Sequence, residues 1–107
     1  MQTYLDVLVS IDEPTIHHPL VFALKQNYPN PFNPKTAISY QLPVASNVEL
    51  NIYNILGQKV VTLVSGKQRA GTYKVEWDAG GFASGVYLYQ LKTDNGFIKT
   101  RKLVLMK

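Results

Sequence analysis

Thr36-Ala37-Ile38-Ser39-Tyr40-Gln41-Leu42 puts Ile38, Tyr40 and Leu42 on one face of an extended chain and Ala37, Ser39 and Gln41 on the other. An apolar face with a period of two is the mark of a half-buried strand, because successive side chains of a strand point to opposite sides. The pattern recurs downstream. Val48, Leu50 and Ile52 alternate with Glu49, Asn51 and Tyr53, and Tyr73, Val75 and Trp77 alternate with Thr72, Lys74 and Glu76. In each pair the second set is expected to face water. Val86-Tyr87-Leu88-Tyr89-Gln90-Leu91 is apolar on both faces, as suits a central strand. Gln58–Val64 reads as a shorter strand and Phe97–Met106 as a longer closing one. No stretch carries the period of a long amphipathic helix.

Turn chemistry separates these segments. Pro43 to Asn47 is a turn cluster, and Asn54-Ile55-Leu56-Gly57 turns the chain, with Gly57 free to take positive φ. Ser65-Gly66 and Ala70-Gly71 are expected to break the next connection, and Asp78 to Gly85 is a small-residue loop. Asp94-Asn95-Gly96 is a hairpin signal, with Asn-Gly suited to a type I′ turn. Short strands at this spacing predict an all-β sandwich of about seven strands.

Upstream of Thr36 lies Gln26-Asn27-Tyr28-Pro29-Asn30-Pro31-Phe32-Asn33-Pro34. Its prolines fix φ and remove backbone donors, which excludes a helix or a central strand. Its asparagines favour turns through bonds to nearby backbone. Tyr28 and Phe32 are large apolar residues, so the segment is expected to be a stiff entry whose two aromatics pin it to the domain edge. Before it, Leu5, Val7, Val9 and Ile11 alternate with Asp6, Leu8 and Ser10, and Pro14 and Pro19 follow. Residues 1–23 read as an N-terminal extension, either a first strand or the tail of an upstream domain. An exposed apolar strand there would invite pairing with a second copy. Residues 24–107 form the main domain.

The 107 residues suffice for one domain with a modest core, and the hydrophobic share of 46% with 17% charged residues argues against disorder. No apolar run reaches membrane-spanning length, so membrane insertion is not expected. Met1 is not followed by a basic stretch and an apolar core, so no signal peptide is read here. The absence of cysteine removes disulfides and thiolate chemistry. The net charge of +4 is mild, with Lys99, Arg101, Lys102 and Lys107 gathered at the carboxyl end. Nucleic-acid binders usually carry a larger basic patch with aromatics set for stacking, so that function is not expected.

The search for chemistry yields no site. His17 and His18 are adjacent, so on an extended chain they point apart and chelate poorly; no metal site is expected. The carboxylates fall on solvent faces or in turns without an acid–base pair. The serines lack a nucleophile-elbow pattern, and the glycines at 80, 81 and 85 open no helix to cradle phosphate. The chain reads as non-catalytic and without a cofactor. Two binding alternatives remain: a structural or adhesive module, and a carbohydrate-binding one. For the latter Tyr53, Tyr87 and Tyr89 would have to lie on an outer face, while Trp77 reads as a core anchor.

Taken in order, the entry run 26–34, Thr36–Tyr40, Leu50–Val60, Ala70–Tyr73, Gly85–Tyr89 and the terminal Lys102-Leu103-Val104-Leu105-Met106-Lys107 resemble one family. From about Leu24 the chain resembles the type A C-terminal sorting domain of the type IX (Por) secretion system of Bacteroidetes, an immunoglobulin-like module. The resemblance implies a transport address for an upstream cargo domain in the same chain. The cargo would reach the periplasm, cross the outer membrane through the type IX translocon, and end at the cell surface or outside, with the domain cut off by a sortase-like peptidase. Carried over by residue, the sorting signal would lie in Gly85, Tyr87, Lys102 and Lys107, and Tyr28, Pro29, Pro31 and Phe32 would form the structural entry motif. Gly85 is expected to allow close backbone approach or a turn. The closing strand offers either lysines for an acidic receptor groove or an edge for strand addition.

Overall fold

The strands form where the period-two pattern places them, and the computed structural model describes residues 19–107. We number the strands β1 (Ala23–Leu24), β2 (Lys35–Leu42), β3 (Ser46–Asn54), β4 (Lys59–Gln68), β5 (Gly71–Asp78), β6 (Gly85–Thr93) and β7 (Ile98–Leu105). They build two antiparallel sheets, ordered β1-β2-β5 and β4-β3-β6-β7. This is an all-β, immunoglobulin-like sandwich.

The core is the sum of the inward faces. Ile38, Tyr40 and Leu42 of β2, Leu50 and Ile52 of β3, Tyr89 and Leu91 of β6, and Leu103 and Leu105 of β7 are fully buried. Each such side chain contributes roughly 1.5–3 kcal/mol by leaving water. The Tyr40 tip finds a partner in this core, whereas the buried Thr93 Oγ1 has none among the described residues. The Tyr40 hydroxyl crosses between the sheets to donate to Gln68 Oε1, and Tyr40 stacks on Tyr73 at 5.3 Å. Burial pushes the Tyr40 phenol up to about 12, against the lowering effect of the Gln68 bond.

Several expectations need correction. Tyr87 and Tyr89 do not lie on an outer face: both point into the core, because β6 is central and its outward residues are Val86, Leu88 and Gln90. Asn51, expected to face water, is buried, and its Oδ1 accepts a bond from the Thr62 hydroxyl. Ser65-Gly66 does not end a strand. β4 runs through it to Gln68, and Gly66 pairs with Val48. An edge strand tolerates such a glycine, and register shifts at Leu50/Asn51 and Ile52/Tyr53 break its regularity.

The hairpin at Asp94 is present, but its turn is not type I′. The Gly96 N–H donates to the Thr93 carbonyl, the Thr93 N–H donates to the Phe97 carbonyl, and Gly96 takes φ 93°. That is a three-residue loop closed by a glycine bulge. The turn at Ile55 has the same skeleton: Gly57 N–H to the Asn54 carbonyl, Asn54 N–H to the Gln58 carbonyl, and φ 81° at Gly57. The predicted strand around Leu5–Ile11, its pairing with a second copy, and His17 and His18 lie outside the described residues.

Candidate functional site

The entry segment runs parallel to β7 and closes its outer edge. The Lys102 carbonyl accepts from Gln26 Nε2 at 2.8 Å, and the Val104 N–H donates to Asn30 Oδ1 at 2.9 Å. The Val104 carbonyl accepts from the Phe32 N–H, and the Met106 N–H donates to the Phe32 carbonyl, each at 3.0 Å. Further back, Arg101 Nε donates to the Leu24 carbonyl. Strand addition at residues 102–106 therefore finds the backbone already engaged, which removes the edge-pairing expectation for the folded domain.

Only one of the two entry aromatics pins this segment. Phe32 is 2% exposed and packs on Trp77 at 5.7 Å, whereas Tyr28 is 82% exposed and is held by its backbone bridge to Ala37. The second pin is Asn27, a buried residue that the sequence reads only as a turn former. Its Nδ2 donates to Thr36 Oγ1 and to the Pro29 carbonyl, its Oδ1 accepts from Gln26 Nε2, and its N–H donates to the Tyr89 hydroxyl. Tyr89 in turn donates to the Lys25 carbonyl at 2.6 Å. Desolvation holds the Tyr89 phenol above its usual range, partly offset by the Asn27 bond and the nearby Arg101 charge. An asparagine offers both donors and an acceptor, so it satisfies a proline-broken stretch that lacks its own N–H groups. The Tyr28–Pro29, Asn30–Pro31 and Asn33–Pro34 bonds are cis.

The sequence-predicted signal residues separate by role. Gly85 has φ 152°, and a Cβ there would meet nothing within 4 Å. Backbone conformation, not close approach, is what calls for glycine at this position. Tyr87 is buried, edge-on to Trp77 at 5.6 Å, and its hydroxyl donates to the Ala83 carbonyl at 2.7 Å. Lys107 holds the same loop from outside: its Nζ donates to the Gly80 carbonyl at 2.6 Å and its N–H to Ser84 Oγ at 3.0 Å. These three residues converge on the loop between β5 and β6. Lys102, paired with Leu88 in the middle of the strand, is exposed and does not join them.

Trp77 is buried among Phe32, Phe82 and Tyr87. With Tyr87 and Tyr89 also inside, the three rings cannot stack on a sugar. Among the described residues no helix is long and apolar enough to cross a membrane.

The arrangement defines a small immunoglobulin-like module whose entry segment and closing strand are clasped together, with a shaped loop at one end. The match with known families agrees with that description: the model of the "Secretion system C-terminal sorting domain" covers residues 26–106, and the chain belongs to this family, the type IX secretion C-terminal sorting domain. No curated protein matches the chain. The family is one of sorting signals for export to the cell surface or the extracellular space, in a C-terminal part of a cargo protein handled by the type IX system.

Proposed function

We propose that this chain is a non-catalytic address whose readable surface is built by the loop between β5 and β6 together with the end of β7. The observation that carries the reading is the convergence of Gly85, Tyr87 and Lys107 on that loop. Gly85 sets the backbone where the loop becomes a strand, Tyr87 holds it from the core, and Lys107 clamps it from the surface. A rigid surface costs little ordering entropy when it is read, which favours a folded signal over a flexible tail. Lys102 contributes an exposed cation that steers an acidic receptor.

In this reading the cargo passes through the periplasm, the translocon recognises the folded module, and a sortase-like peptidase removes it after crossing. The test is a fluorescent protein carrying residues 1–107 at its carboxyl end, behind a signal peptide, in a host with a working type IX system. Fluorescence outside the working strain but inside a translocon-null strain is the expected result, with the exported reporter lacking the domain's mass. Retention in both strains overturns the sorting role for a folded fusion. Lys107→Ala and Tyr87→Phe are then expected to weaken export more than Lys102→Ala.

A further inference from the structure

The two ends of the sandwich differ in a way that the clasp does not explain. The described chain enters at one end, where Phe22 stacks on Phe97 at 5.2 Å beside the Asp94-Asn95-Gly96 hairpin. Because the entry segment runs parallel to β7, its arrival is at the opposite end from Met106. At the far end, register sets Asn54 opposite Tyr87 and Gly85 opposite Leu105, so the Ile55-Leu56 turn, Val86 and Met106 come to one end of the same sheet. All four side chains are exposed; Ile55 is 72% and Leu56 78% accessible.

Two consecutive aliphatic side chains at a hairpin tip lose nothing by being polar if the turn is only a connection. Here they stand on a stiff base. Asn54 Oδ1 accepts from both the Leu56 and Gln58 N–H groups, and its Nδ2 donates to Gln58 Oε1 at 2.8 Å. Resting on the sorting role above, we infer that Ile55 and Leu56 form a preorganised apolar finger that seats in a pocket on a protein of the export apparatus, a pocket with apolar walls and an acidic rim. The rim follows from charge: Lys59 and Lys107 flank this end of the four-stranded sheet, while Lys35 and Asp78 opposite it offset each other. The described chain arrives at the other end of the sheet, where Phe22 stacks on Phe97.

The finger is too small for other occupants. A standard interface buries about 800 Å² on each side, which two side chains meeting their copies do not approach. Residence on a bilayer takes a wider apolar face or a lipid anchor. A pocket that closes around one or two anchor residues is the arrangement in which so small an area suffices.

The experiment uses the reporter carrying residues 1–107 in the exporting host. Wild-type export that depends on the translocon establishes the sorting role independently of the finger. Leu56→Asp is then expected to lower export about tenfold, the scale of losing one anchor side chain, while Leu56→Met retains it. Lys59→Glu lowers export by a smaller factor. Urea unfolding of the purified chain is expected to be unchanged by Leu56→Asp, because the side chain is exposed. A photoreactive leucine analogue at position 56 is expected to crosslink to a translocon protein, and the crosslink is lost in the translocon-null strain. Unchanged export in Leu56→Asp, or a crosslink to lipid or to a second copy of the chain, overturns the inference while leaving the sorting role intact.

Discussion

Two hairpin loops of the same skeleton stand at opposite ends of this domain, and their side chains divide the work. In both, a residue closing a strand donates its N–H to a carbonyl four positions on and accepts from a glycine three positions on. Around Ile55 the stiffening is internal, since Asn54 bonds within its own loop. Around Asp94 it is external: the carboxylate accepts from the N–H and the side-chain amide of Asn47 on β3, each at 3.0 Å. A loop tied to its neighbour is part of the sandwich. One tied only to itself projects free and presents whatever its tip carries. The backbone was used twice, and the tips, Ile-Leu in one and Asp-Asn in the other, make the ends different.

The largest test of this contrast acts on the clasp that holds the far end. Phe32→Ala is expected to cost about 3–5 kcal/mol, through the emptied space beside Trp77 and Leu105. Urea unfolding measures it, and hydrogen exchange should show the amides of Val104 and Met106 opening well before that of Gly96. Equal loosening at both ends would contradict a strap that acts on one of them.

Asn54→Ala comes next, at about 1–2 kcal/mol, because it leaves three hydrogen-bonding groups without their partner. Its effect on amide exchange should stay within residues 54–58, whereas Asp94→Ala should be felt at Asn47. If both variants disturb only their own loops, the internal-versus-external distinction is wrong.

Gly57→Ala and Gly96→Ala sharpen the likeness rather than the difference. Both glycines have positive φ, and a Cβ at either meets nothing within 4 Å, so conformation alone sets a cost of about 1 kcal/mol for each. Thermal melts of the two variants should agree closely.

The smallest effect is electrostatic. Bonds from Asn47, side chain first and backbone second, lower the Asp94 carboxyl below 3.8. A carboxylate with a depressed folded pKa contributes stability above its unfolded pKa and loses it as pH falls through the folded one. Acidification from neutral pH to below the depressed folded pKa should therefore loosen the Asp94 loop while the Asn54 loop, held by a neutral amide, does not respond. Amide exchange of Asp94 and Leu56 at the two pH values separates them.

Much of this was legible in the chain because strand periodicity is a local property. Ile38, Tyr40 and Leu42 pointed inward wherever the sandwich closed, and Asn-Gly at 95–96 announced the hairpin, though its turn is a three-residue bulged loop and not the type I′ turn expected. Ile55-Leu56 stands in the sequence as an apolar pair inside a turn; only the structure shows that no neighbour among the described residues covers it. Other features depend on partners distant in sequence. Asn27 reads as a turn residue, and only its bonds to Thr36 and Tyr89 make it a buried pin. Tyr28 and Phe32 look alike between prolines, yet one is core and the other faces water, because Trp77 and Leu105 lie beside only one of them. Tyr87 and Tyr89 were ambiguous because β6 is apolar on both sides. Period, turn chemistry and family motifs follow from neighbours along the chain, so the sequence alone determined an all-β sandwich of sorting type. Which face of β6 is inside, what closes the edge of β7, and which hairpin stands free are set by contacts between residues up to 77 positions apart, and only the tertiary structure decides those.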